Sequence, residues 1–70
     1  MKIRFLRNCE YGILKKELFG GDEETSFEAG EEYEVNSIRE IAADPSAADI
    51  SFKNGWEAPY ILKEDYEVVS

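Results

Sequence analysis

The side chains of this sequence that could do chemistry are mostly carboxylates: sixteen Asp and Glu stand against eight Lys and Arg, and histidine is absent. Without histidine the chain lacks the commonest general base and the commonest metal ligand. No Cys–His or Ser–His pair exists to activate a nucleophile. A carboxylate pair works as acid and base only when burial or a like charge pushes one pKa away from the other, and nothing in the pattern singles out one acid. Asp22, Glu23 and Glu24, with Glu28, Glu31 and Glu32, offer the hard oxygen ligands that Ca²⁺ or Mg²⁺ prefer, but their spacing matches no EF-hand loop. The expectation is a non-enzyme with no cofactor and no metal. Cys9 is the single cysteine; it has no partner for an internal disulfide, suits a reducing cytoplasm, and reads as a small, partly buried apolar residue.

A net charge of −8 repels phosphate backbones and anionic lipid surfaces alike, and no apolar run approaches the ~18–20 residues that span a bilayer. The expected partner is therefore another protein, with no direct nucleic-acid or membrane binding, in the cytoplasm. Two forms of that partnership follow from the residue types. In the first, the chain is a non-enzymatic interaction module. Trp56, Tyr60 and Tyr11 are the amphipathic aromatics that favour binding hot spots, and Glu31 and Glu32 supply acidic contacts. In the second, the carboxylates recurring at Glu23, Glu24, Glu31, Glu32, Glu34, Glu64, Asp65 and Glu67 imitate nucleic acid, making the chain an acidic decoy for a DNA- or RNA-binding protein.

Alternation along the chain sets the elements that must position these residues. Around Gly30, the apolar residues Phe27, Ala29, Tyr33 and Val35 alternate with charged ones, which predicts two half-buried strands meeting at a turn. Lys2 to Arg7 reads as a first strand rather than a signal peptide, having polar interruptions and no small-residue cleavage site. Glu10 to Phe19 fits a strand better than a helix of about two turns with Gly12 near its start. Gly20-Gly21-Asp22-Glu23-Glu24 predicts an exposed acidic loop. Tyr33 to Ile41 is a strand whose inward set changes phase near Asn36 or Ser37, the mark of a bulge. Ala42 to Ala47 is a loop. Asn54-Gly55 predicts a type I′ hairpin, and Pro59, which lacks an N–H, predicts an edge or a distortion in the following strand. Lys63-Glu64-Asp65 fits one 3₁₀ turn before Tyr66 and Val68 return as a last strand. Seventy residues make one domain that buries about 60% of its unfolded surface, as a monomer or a weak homodimer.

Two segments resemble the SH3 family. Phe27-Glu28-Ala29-Gly30-Glu31-Glu32-Tyr33-Glu34-Val35 resembles its diverging turn, and Tyr60-Ile61-Leu62-Lys63-Glu64-Asp65-Tyr66 resembles its passage through a 3₁₀ turn into the last strand. The Asn54-Gly55 hairpin is similar to the distal loop. The resemblance implies an all-β, SH3-like barrel of five to six short strands with a 3₁₀ turn before the last, spanning residues 1–70, of the kind found in small bacterial and phage proteins. The family's proline-peptide aromatics are not matched, since Trp56 follows the hairpin turn instead of beginning the strand before it. No ligand residue is carried over.

Overall fold

In a computed structural model describing residues 1–15 and 22–70, the chain is all-β. Its seven strands are β1 (Lys2–Phe5), β2 (Cys9–Leu14), β3 (Asp22–Phe27), β4 (Glu32–Glu40), β5 (Ala47–Phe52), β6 (Glu57–Leu62) and β7 (Tyr66–Val68), with a 3₁₀ turn at Lys63–Asp65. They form one antiparallel sheet in the order β3-β2-β6-β5-β4-β1-β7. Seven strands stand where the resemblance implied five or six, and the outermost, β3, begins inside the predicted acidic loop. Asp22, Glu23 and Glu24 pair with Leu14, Ile13 and Gly12. Their side chains need only water, and an outer strand of a sheet provides it. The predicted strand over Glu10 to Phe19 holds through Leu14; residues 16–19, like Gly20 and Gly21, lie outside the described residues.

Every strand sends apolar side chains into one core: Ile3 and Phe5, Ile13, Phe27, Val35, Ile50 and Phe52, Ala58 and Ile61, and Tyr66. Its centre is aromatic. Phe27 stacks on Phe5 with centroids 4.2 Å apart and lies parallel to Phe52 at 6.4 Å, while the Tyr33 ring stands nearly perpendicular to all three, with centroids 5.4–5.9 Å away. Parallel offset and edge-on contacts are the geometries the ring quadrupole favours.

The turns follow from local chemistry. Glu31 N–H donates to Glu28 C=O at 3.1 Å across a turn whose third residue, Gly30, has φ +92°. That backbone is closed to most L side chains, which is why glycine sits there. The hairpin at Asn54-Gly55 departs from type I′, because only Gly55 has positive φ, at +95°. Gly55 N–H donates to Phe52 C=O and Phe52 N–H to Trp56 C=O, closing a three-residue loop over Lys53, Asn54 and Gly55. Such a loop needs one left-handed residue rather than two, and Asn54 instead accepts the Trp56 N–H at 3.0 Å.

Two bulges re-aim side chains. The β4 register slips between Val35 and Ser37, where the alternation changes phase. Ala48 pairs with Ile61 and Ile50 with Ala58, so Pro59 and Tyr60 together oppose the single residue Asp49. The extra residue seats a proline that cannot donate to the ladder. It also leaves Pro59 and Tyr60 exposed between buried Ala58 and Ile61.

Candidate functional site

The five residues expected at a partner surface fall at separate places with different occupations. Trp56 is partly buried against the core, with Tyr33 and Phe52 each 6.2 Å away. Its ring also carries the Lys15 ammonium, 4.2 Å from the centroid, a cation–π contact. Lys15 in turn pairs with Glu23 at 2.7 Å. Tyr60 is 45% exposed, set outward by the bulge, and its hydroxyl donates to Asp44 in the loop before β5. That carboxylate is held below its usual range first by Ser46 and then by Tyr60.

Tyr11 has an internal role. Its hydroxyl donates to Asp65 and accepts the Leu62 N–H at 3.1 Å, bridging β2 to the 3₁₀ turn. Asp65, 5% exposed, is the one buried charged residue among the described residues, and Arg7 Nε reaches its other oxygen at 2.9 Å. Tyr11, Asp65 and Arg7 thus form a latch that ties the base of the β2–β3 hairpin to the end of β6. Glu31 closes the Gly30 turn, its Oε1 accepting the Glu28 N–H at 2.7 Å. Glu32 accepts two hydrogen bonds from the Arg4 guanidinium, at 2.8 and 3.0 Å, with Lys2 at 3.7 Å. Arg4 holds the Glu32 carboxyl below the usual carboxylate range.

The latch gives the molecule an alkaline limit. Burial, then the hydrogen bond to Asp65, pushes the Tyr11 phenol well above its ordinary value of about 10. Burial likewise raises Tyr33 and Tyr66. A group whose folded pKa is raised contributes stability that is complete below its unfolded pKa and is lost as pH rises through the folded value. Stability is therefore expected to fall progressively above about pH 10. Urea titrations across that range, with tyrosinate absorbance followed in parallel, should show a shallower alkaline slope in Tyr11→Phe; an unchanged slope removes Tyr11 from the account.

The charges that sequence reasoning did not bring together lie on the β2–β3 hairpin. Among the described residues six basic ones, Lys2, Arg4, Arg7, Lys15, Arg39 and Lys63, make ion pairs, which occupy Glu23, Glu32, Glu40, Asp49, Glu57, Glu64, Asp65 and Glu67. Glu10, Asp22, Glu24, Glu28, Glu31, Glu34 and Asp44 have no ion pair with a described basic residue, and the first three share one face. Glu10 pairs with Ser26, Gly12 with Glu24 and Leu14 with Asp22, and all six of these residues are exposed. The opposite face of the same ribbon holds Ile13 and Phe27 in the core. Three consecutive acids after two glycines gave no alternation to show that Asp22 and Glu24 belong to a strand.

At the base of this hairpin is an open hollow of about 440 Å³ lined by Asn8, Cys9, Glu10, Ser26, Phe27 and Glu28. Burial, then Asp65, raises the Cys9 pKa, so the thiol there is a poor nucleophile at neutral pH. Among the described residues no three Cys, Asp or Glu converge as a metal site, and no helix is long and apolar enough to cross a membrane. No family model, curated protein or solved structure matches the chain.

Proposed function

We propose that this chain is a small SH3-like barrel acting as a non-enzymatic protein-interaction module, whose acidic β2–β3 hairpin meets a basic surface on its partner. The barrel reading draws on the strand order. β1 lies between β4 and β7, β4-β5-β6 is a meander, a 3₁₀ turn precedes the last strand, and β3 and β4 diverge from the Gly30 turn without pairing. The observation that carries the functional reading is the charge distribution. Eight described carboxylates pair with Lys or Arg, and of those that do not, Glu10, Asp22 and Glu24 stand together on one exposed face without a described basic partner. Uncompensated charge of one sign steers and selects a partner of the other.

The decoy reading draws on the same acidity, but its proposed array is less continuous: Glu23, Glu32, Glu64, Asp65 and Glu67 are ion-paired and Glu31 closes a turn. That distribution favours the module. Affinity capture from a lysate of the source organism, washed at rising salt and then challenged with single-stranded nucleic acid, separates the two readings. The module reading expects a basic protein that elutes with salt and is not displaced by nucleic acid at matched ionic strength. Displacement by nucleic acid would transfer the proposal to the decoy, and a partner that resists salt but is lost in Trp56→Ala would move it to the aromatic surface.

A further inference from the structure

The sheet ends on one side at β3, which pairs only with β2 among the described strands. A terminal strand presents a row of backbone N–H and C=O groups with no ladder partner. At six residues β3 is about 20 Å long. It contains no proline, and its pairing with β2 runs without a register shift from Phe27 to Asp22. At the opposite end β7 has three residues, too few to template a strand of ordinary length. Shortness, proline and a bulge, three devices that protect an edge, are therefore missing from β3, while a fourth, charge, is present. Asp22, Glu23 and Glu24 are half of its residues.

That charge decides what can add to the edge. A second copy of β3 would place carboxylates against carboxylates, which destabilises cross-strand pairing, while opposite charges on facing strands stabilise it. Glu23 is already satisfied by Lys15 at 2.7 Å. Asp22 and Glu24 project from the exposed face two residues apart, a repeat of about 6.8 Å. An extended chain with cations at alternate positions has the same repeat.

We infer that β3 is a docking edge that takes an extended, Lys- or Arg-bearing segment of a partner protein as an added strand, with cations at alternate positions against Asp22 and Glu24. The backbone supplies the ladder and the carboxylates supply the selection. This rests on the module reading and names the mode of binding within it.

The test uses the 70-residue protein, isotopically labelled for amide NMR and hydrogen exchange, with two synthetic peptides. One alternates Lys with Val or Thr, and the other carries Glu in place of Lys. The lysine peptide is expected to shift the amides of residues 22–27 and slow their exchange, with binding that weakens as salt rises; the glutamate peptide is expected to leave them unchanged. Asp22→Lys/Glu24→Lys should lose roughly five- to twenty-fold in affinity, the range of two exposed charge pairs, whereas Glu34→Lys on β4 should not. If the double variant does not fold, Glu24→Gln, with a loss of about two- to five-fold, replaces it. Protection centred on Trp56 and Tyr33, equal binding of both peptides, or no protection of β3 would overturn the inference. A captured basic partner retained in full by the folded Asp22→Lys/Glu24→Lys variant would sink the docking edge while leaving the module reading standing.

Discussion

Phe27→Ala is expected to leave the protein predominantly unfolded at 25 °C. Phe27 is 1% exposed and lies between two other buried rings, its centroid 4.2 Å from that of Phe5 and 6.4 Å from that of Phe52, with the nearly perpendicular Tyr33 ring centred 5.4 Å away. Truncating a buried phenylalanine costs about 3–5 kcal/mol through lost transfer energy and the cavity left behind. A core in a domain of this size supplies only ~3–5 kcal/mol in total, so the loss is comparable to everything the fold has. Phe27 also anchors the last residue of β3 through its pairing with Cys9, and its removal loosens the acidic hairpin together with the core. Near-UV circular dichroism and a urea titration read the effect, with Lys53→Ala, at an exposed position, expected to stay within about 0.5 kcal/mol of the parent. A Phe27→Ala protein that kept a cooperative transition within about 1 kcal/mol of the parent would show that the aromatic stack is not the centre of stability.

Arg7→Ala is expected to cost about 1–3 kcal/mol, because it strands a desolvated carboxylate. The Asp65 side chain is 7% exposed, and Arg7 Nε supplies its cationic partner at 2.9 Å. The cost stays below the range for a fully buried pair, since the Arg7 side chain is 56% exposed and that side of the pair is solvent-screened. Tyr11 and Arg7 occupy different oxygens of one carboxylate. Because they share that partner, their effects should be non-additive: in a cycle of Tyr11→Phe and Arg7→Ala, the double variant should differ from the sum of the singles by at least about 0.5 kcal/mol. Strict additivity would mean that the three residues stabilise independently and that no latch holds the hairpin to the 3₁₀ turn. Hydrogen exchange on β2 and β3 gives a second reading, since an opened latch should speed exchange there before it does in β4 and β5.

What could be read from the chain alone was whatever depends on a residue and its near neighbours. Gly30 announced its turn because only glycine takes φ +92° without penalty. The change of phase between Val35 and Ile38 marked the β4 bulge, Pro59 marked the distortion in β6, and Lys63–Asp65 was too short for anything but a 3₁₀ turn. The type of the hairpin at Asn54-Gly55 escaped, because Asn-Gly serves both a two-residue loop and a three-residue one, and the choice depends on how Phe52 and Trp56 pair across it.

The tertiary structure decided which carboxylates are neutralised and which are not, because ion pairs such as Arg4–Glu67 and Arg7–Asp65 join residues far apart in sequence. It made Tyr11 a latch rather than a contact, by setting its hydroxyl against Asp65 and Leu62, and it turned Trp56 toward the core under Lys15. It also converted three consecutive acids from a loop into the outer strand of the sheet. Alternation reports burial on one face of a strand, but an outer strand whose side chains mostly face water carries little of that signal, so only its pairing with β2 reveals it.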